Sequence, residues 1–186
     1  MKRATLGLLI AATAAAAGLS ADAGRAASPG PLDAGAAEVP QGVRIEHQEL
    51  LAELAAAARE PGELGRAARA VEAPLRPHFV NEEDSALPPL GLLPGLAEGR
   101  GVTPETAAAV VAMAERPRAD QARLFDEHAA IVAAAGELGE IAGRHGAPAY
   151  ERLAERLALH AADEVEVLHP ASILVGEYLK AQLSHQ

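Results

Sequence analysis

Two short segments of this 186-residue chain place a histidine four residues before a glutamate, at His78–Glu82 and at His160–Glu164. On an α-helix, residues i and i+4 lie on one face about one turn apart. An imidazole and a carboxylate therefore point the same way in each segment and can share a metal ion. A single pair of this kind is more often a surface hydrogen bond or a weak ion pair, so the interpretation depends on what accompanies it.

Two further histidines, His47 and His128, stand on the apolar stripes of other predicted helices. The stripe residues are Val43, Leu50, Leu51 and Leu54 around His47, and Leu124, Phe125, Ile131 and Val132 around His128. Burying four imidazoles and two carboxylates without partners would cost several kcal/mol per group. Coordination of metal at one level of the fold is the simplest way to satisfy them all. The predicted metal ligands are therefore His47, His78, Glu82, His128, His160 and Glu164.

The composition restricts the chemistry further. There is no cysteine, which excludes disulfides, thiolate zinc sites, iron–sulfur clusters and thiol nucleophiles. Imidazole and carboxylate ligands suit iron, manganese or zinc better than copper(I). A net charge of −10 argues against nucleic acid as a partner. The sequence contains no Ser/His/Asp triad pattern, phosphate-binding glycine loop or HExxH motif, and the order HxxxE disfavours a ferritin-like oxidase.

Alanine and leucine dominate the chain and β-branched residues are sparse, which favours helices. Apolar periodicity and Pro/Gly stops predict bundle helices over 43–59, 63–86, 118–143 and 148–183, with an extra short helix from 103 to about 115. The predicted fold is an all-α, antiparallel up-down four-helix bundle. In that arrangement each ligand histidine lies roughly 18–22 Å from the same far end, so the four can meet in one layer.

Three features near the predicted site are secondary expectations. Prolines at 74 and 77 predict a kink just before His78, and Pro170 predicts one in the last helix. The apolar connection over 87–102 is expected to fold over one end of the bundle, either as a lid on the site or as an ordinary connection. The remaining histidines, His145, His169 and His185, are given no role, and His169 is expected on the face opposite His160.

The N-terminal region has the pattern of a secretory signal. Lys2 and Arg3 precede an apolar run over 6–17, and Ala21-Asp22-Ala23 fits a cleavage site. We therefore predict a signal peptide over 1–23, a flexible Pro/Gly-rich linker over 24–42 and the bundle domain over 43–183. The expected location is periplasmic or secreted, with no membrane association once the signal is removed. The alternative is an uncleaved N-terminal anchor.

The order His … HxxxE … His … HxxxE over 43–183 resembles the hemerythrin-like (HHE) cation-binding family. The resemblance implies a non-haem centre of two iron ions bridged by carboxylates. Glu82 and Glu164 would then be the bridges, and the four histidines the terminal ligands.

The sequence also departs from the oxygen-carrying hemerythrins. Val132 stands where they have a second histidine, and Glu164 follows His160 by four residues where they have an aspartate at five. Glu83 or Glu127 could fill the gap, or could accept hydrogen bonds from ligands. The resemblance implies a protein that binds or senses dioxygen or a similar small ligand. The alternatives are a di-iron enzyme that activates oxygen or removes peroxide or nitric oxide, and an adaptor bundle without metal. No redox partner is identified.

Overall fold

The computed structural model describes residues 30–185, and this range is built from helices joined by short turns. No β-strand occurs in it, so the prediction of an all-α fold is confirmed. The predicted signal peptide over 1–23 lies outside the described residues. The α-helices are α1 (Gln41–Ala57), α2 (Gly62–Asn81), α3 (Leu93–Ala97), α4 (Pro104–Ala119), α5 (Gln121–Arg144), α6 (Pro148–Asp163) and α7 (His169–Leu183).

Four of these helices enclose the main apolar core. Helix α1 contacts α2 and α6, α2 contacts α5, and α5 contacts α6, so the pairwise contacts close a ring. Each helix contributes apolar residues at helical spacing to one cluster, whose fully buried members include Leu50, Leu54, Val71, Leu138 and Leu157. Burial of each large side chain stabilises the fold by about 1.5–3 kcal/mol.

Helices α2 and α6 both pass into a wider π-turn at the glutamate of their HxxxE segment. The π-turns span Glu82–Ala86 and Glu164–Leu168. In each, the backbone N–H five residues after the glutamate donates to the glutamate carbonyl. A proline follows at Pro88 and at Pro170. Because a proline has no N–H and its ring crowds the preceding turn, it favours departure from regular α-helix at this point.

The observed helices differ from the predicted ones in several details, and the predicted last helix over 148–183 is divided into α6, a π-turn and α7. Pro74 and Pro77 both lie within α2, which continues through them to Asn81. The extra helix predicted from 103 to about 115 is longer, since α4 extends to Ala119 with Pro117 inside it. Its predicted start is confirmed, because the side chain of Thr103 accepts a hydrogen bond from the first turn.

Residues 30–40 pack against the domain, which departs from the expectation of a flexible linker. Leu32 and Val39 are buried, and Leu32 exchanges backbone hydrogen bonds with Gly101 and Thr103. The approach is close, because a Cβ on Gly95 would lie 2.6 Å from a methyl carbon of Leu32. The Pro/Gly-rich composition of the segment gave no indication that Leu32 and Val39 would be buried against the domain.

The connection between the first π-turn and α4 folds into a 3₁₀-helix, Pro88–Leu92, followed by α3. Leu92 is fully buried in a second apolar cluster with Leu32, Val110, Val175 and Leu179. This cluster joins the N-terminal segment, the connection, α4 and α7. It accounts for the pairing of α4 with α7 outside the ring of four helices. Within residues 30–185, no helix has both the length and the apolarity needed to cross a membrane.

Candidate metal centre

The structure brings all six predicted ligands together in one buried layer. His47 comes from α1 and His128 from α5, while the two HxxxE segments lie at the ends of α2 and α6. None of the six residues is more than 4% exposed: His47, His78, Glu82, His128, His160 and Glu164.

Glu164 occupies the middle of this layer. Its Oε1 lies 3.3 Å from His47 Nε2 and 2.8 Å from His160 Nε2. Its Oε2 lies 3.1 Å from His128 Nε2 and 3.8 Å from His78 Nε2. Each oxygen therefore faces its own pair of imidazoles, which is the arrangement in which one carboxylate can bridge two cations.

Glu82 lies to one side of the layer. Its Oε1 is 3.1 Å from His78 Nε2 and 3.8 Å from His128 Nε2. The same oxygen lies 2.8 Å from Nε2 of a third histidine, His169. Glu82 thus faces one pair of imidazoles and a third histidine that is not among the six predicted ligands.

The expected position of His169 was wrong. Only 7% of it is exposed, and it lies at the site rather than on the face opposite His160. The reason is the second π-turn, which contains one residue more than an α-turn. His169, the fifth residue after Glu164, therefore lies on the face that the fourth residue would occupy in a regular α-helix.

The donor atoms form two groups that could each hold a metal ion. Within each group they lie within 4.8 Å of one another. Ligands about 2.0–2.2 Å from an ion are separated by up to about 4.4 Å, so the spacing in each group is close to that of atoms that share a metal ion. The groups are His78, Glu82, His128 and Glu164, and His47, His160 and Glu164.

Several inward-facing atoms make no hydrogen bond among the described residues. They are Nε2 of His78, His160 and His169 and both carboxylate oxygens of Glu82. Each such buried group costs about 1–3 kcal/mol if nothing satisfies it. Short N···O separations without hydrogen-bond alignment fit a cation placed between the atoms.

The outer nitrogens of the four predicted histidine ligands face oxygens instead. The Nδ1 separations are 2.8 Å for His47 to Glu83, 3.2 Å for His78 to Glu127, 2.7 Å for His128 to the Leu124 carbonyl and 3.5 Å for His160 to Glu46. Because these oxygens only accept, Nδ1 carries the hydrogen and the Nε2 lone pair is left for a metal. Glu83 and Glu127 therefore lie on the outer side of the ligands as hydrogen-bond acceptors.

Charges within the layer shift the protonation of its members. Burial disfavours the charged form of His78, but contacts with Glu164 and Glu82 outweigh it and raise its pKa to about 10. The pKa values of His128 and His160 are also raised, because contacts with Glu164 outweigh burial. Burial opposes ionisation of Glu164, yet close contacts with the surrounding histidines, His128 first among them, hold its pKa well below the ordinary value. Protonated imidazoles thus balance the carboxylate charge when no cation does so.

Apolar residues enclose the layer along the bundle axis. On the core side, Phe79 stacks on the ring of His47, with centroids 3.7 Å apart and planes 4° from parallel. On the other side, Leu87 and Leu90 form a small cluster with Val39. The stack on Phe79 fixes the orientation of the His47 ring, and the low exposure of the six residues shows that little water reaches them.

A lateral cavity of about 380 Å³ adjoins the layer beside His128 and His169. It lies between the end of α4, α5, the second π-turn and α7. Most of its lining is apolar, including Leu124, Phe125, Ile173 and Leu174. A small molecule entering here would meet the group that contains His128, whereas the His47–His160 group lies beside Phe79.

The other histidines have no part in the site. His145 is 53% exposed and lies 3.7 Å from Glu63, and His185 is exposed near the end of the chain.

Comparisons with protein-family models, with curated proteins and with solved structures found no match for this chain. The function of the protein is therefore inferred from the geometry of the site.

Proposed function

We propose that this protein is a hemerythrin-like, non-haem di-iron protein that binds or senses dioxygen or a related small molecule. The supporting observation is the position of Glu164, whose two oxygens each face a separate pair of buried imidazoles within 3.8 Å. One ion on each side of this carboxylate would satisfy the unpartnered nitrogens and replace the protons that the histidines otherwise hold.

The proposed architecture is an antiparallel up-down four-helix bundle of α1, α2, α5 and α6. Two features support it. The contacts among these helices close a ring. The main core also joins Ala57 near the end of α1 with Leu64 near the start of α2, and Ile141 near the end of α5 with Leu153 near the start of α6. Helices that alternate in direction would give this pattern, and the histidines of all four would then lie at the opposite end.

The chain's own residues hold, orient and shield the proposed ions. Three imidazoles are held by hydrogen-bond acceptors on their outer nitrogens, and the outer nitrogen of His160 lies 3.5 Å from Glu46, so each Nε2 is left facing inward. Apolar residues above and below the layer limit contact with water. Bound iron would supply the change of oxidation state that reaction with dioxygen requires.

A second candidate is a di-iron enzyme that activates oxygen or removes peroxide or nitric oxide. The cavity beside His128 and His169 favours it, since about 380 Å³ is far more than a diatomic molecule needs. Its apolar lining suits an organic molecule with an apolar body. No sequence pattern predicted such a space.

Location is proposed from the sequence pattern over 1–23 alone. A protein with this signal would be periplasmic or secreted, and its redox partner would have to act in the same compartment.

Metal analysis of protein produced in iron-replete medium tests the main proposal. We expect close to two irons per chain, and an absorption spectrum of the reduced protein that changes on exposure to oxygen. His78→Ala and His160→Ala should lose iron and thermal stability together, because metal bound to the native state adds to its stability. His145→Ala is the matched control and should keep both. A wild-type protein without metal would refute the proposal.

Oxygen removal separates the two candidates. A binding or sensing protein should recover the spectrum of its reduced state when oxygen is withdrawn. An enzyme should instead consume oxygen, peroxide or nitric oxide over many cycles when a reductant is supplied.

A further inference from the structure

We propose that His169 is a further metal ligand, which makes the two ion sites unequal. It would bind the ion held by His78, Glu82, His128 and Glu164. The inference rests on the proposed function, since it concerns the same metal centre.

The environment of His169 is that of a ligand. Its Nε2 lies 2.8 Å from Glu82 Oε1, the residue is 7% exposed, and Nε2 makes no hydrogen bond among the described residues. The nitrogen is thus buried against a carboxylate to which it is not aligned.

A histidine that served only to hold Glu82 in place would be expected to donate a hydrogen bond to it. Nε2 of His169 instead shares the condition of Nε2 in His78 and His160, both of which are predicted ligands. The same explanation, a cation between nitrogen and oxygen, applies to all three.

The contacts of His169 assign it to one ion. Glu82 Oε1 has three imidazole nitrogens around it, from His78 at 3.1 Å, His128 at 3.8 Å and His169 at 2.8 Å. The rings of His128 and His169 meet edge to face with centroids 5.5 Å apart. His47 and His160 lie on the other oxygen of Glu164 and form the second group.

The first half of the protein offers no equivalent. Leu87 follows Glu82 by five residues, as His169 follows Glu164, and both have the same backbone hydrogen bond to the glutamate carbonyl. Leu87 is fully buried among apolar residues and has no atom that binds metal. The ion with His169 would therefore have three imidazole ligands and the other ion two.

Stepwise titration of the metal-free protein with Co²⁺ tests this assignment, because the visible absorption of Co²⁺ responds to the number of its ligands. Wild type should show two binding steps. His169→Ala and the bulkier His169→Gln should weaken one step at least about tenfold and change its absorption, while the other step stays as in wild type. His145→Ala, which removes an exposed histidine, should match wild type in both steps.

The cavity allows a chemical rescue. His169→Gly enlarges a space that already reaches His128, so imidazole in solution should enter it and restore the wild-type absorption of the weakened step. Restoration would identify a missing ligand rather than a loosened fold. Circular dichroism and melting of the metal-free variants would establish that they fold.

The outcomes of failure are distinct. A wild-type protein that takes up no metal contradicts the proposed function itself. If wild type binds two ions, the assignment of His169 is overturned when folded His169→Ala and His169→Gln bind both with unchanged affinity and absorption. It is equally overturned when both steps weaken alike or when imidazole restores nothing.

Discussion

The two HxxxE segments share a backbone and differ in chemistry. In 78–88 and in 160–170, a histidine is followed by a glutamate at four residues and a proline at ten, and a π-turn begins at the glutamate. The residue five after the glutamate faces inward in both, as Leu87 in the first segment and His169 in the second. The same local backbone therefore presents an apolar side chain in the first segment and an imidazole in the second.

The glutamates of the two segments also differ. Glu164 lies within 3.8 Å of histidines from all four helices of the ring, whereas Glu82 meets only His78, His128 and His169. A repeated motif thus gives one central carboxylate and one lateral carboxylate. The role of each glutamate is therefore set by the neighbouring helices and not by the motif itself.

The largest expected effect is a loss of bound metal, and it should differ between variants of Glu164 and of Glu82. Glu164→Gln should lose both ions, because the bridge would disappear from both groups and the histidines would face an uncharged amide. Glu82→Gln should weaken the ion near His169 and spare the ion at His47 and His160. Metal content per chain after desalting measures the difference.

Exposed acidic residues within the same π-turns are the matched controls. Glu166→Gln and Asp84→Asn remove similar charge near each segment without touching the layer, and both should retain wild-type metal content. Equal losses in Glu164→Gln and Glu82→Gln would contradict the distinction between central and lateral carboxylates.

A smaller effect concerns pH, with opposite signs in the metal-free and metal-loaded protein. Without metal, the folded pKa of His78 is about 10, above the 6.5 of the unfolded chain. A raised pKa contributes stability that is complete below pH 6.5 and is lost as pH rises toward 10. The unfolding free energy of metal-free protein should thus fall between these values, by up to about 1.4 kcal/mol per pH unit for this proton.

Metal should reverse this trend. An ion requires neutral imidazoles, so its binding displaces protons and strengthens as pH rises. Urea unfolding at pH 7, 8 and 9, with and without bound iron, measures both slopes. A metal-free protein that becomes more stable over this range would refute the charge balance around Glu164. At acidic pH, protonation of Glu164 should destabilise the fold as the pH drops through its lowered pKa.

The sequence was sufficient to identify six residues that meet in one layer, because the helical period is a local property. His78 and Glu82 share a face for the same reason in any helix, and apolar stripes placed His47 and His128 toward the core. The prediction failed at His169 because one extra residue in a π-turn rotates everything after it. A signal was present in the sequence, since a proline follows each motif glutamate by six residues, at Pro88 and Pro170.

Packing between distant segments was less predictable. The contact of Leu32 with the region around Gly95 and Gly101 joins residues more than sixty positions apart, and no local pattern specifies it. The same holds for the cavity, whose walls come from three helices and a π-turn. Periodicity indicates which face of a helix is buried and leaves open what covers it.

The smallest expected effect concerns the acceptors on the outer side of the layer. Glu83 lies 2.8 Å from Nδ1 of His47, and Glu127 lies 3.2 Å from Nδ1 of His78, so each contacts a histidine of a different candidate metal group. Replacing such an acceptor typically weakens metal binding 10–100-fold. Both carboxylates are one-third exposed, and water can replace part of the lost contact, so we expect about tenfold or less.

Glu83→Gln should therefore lower the affinity for the ion at His47 and His160, and Glu127→Gln should lower the affinity for the ion near His169. The first change should be the larger, because Glu127 also accepts from Arg123 and has the longer contact with its histidine. The Co²⁺ titration resolves the two steps, and loss of affinity at the same step in both variants would contradict the separation of the layer into two groups. Glu46 offers a third acceptor on the outer side of the layer. Its carboxylate is 45% exposed and 3.5 Å from His160, so Glu46→Gln should weaken the same step as Glu83→Gln by a smaller factor.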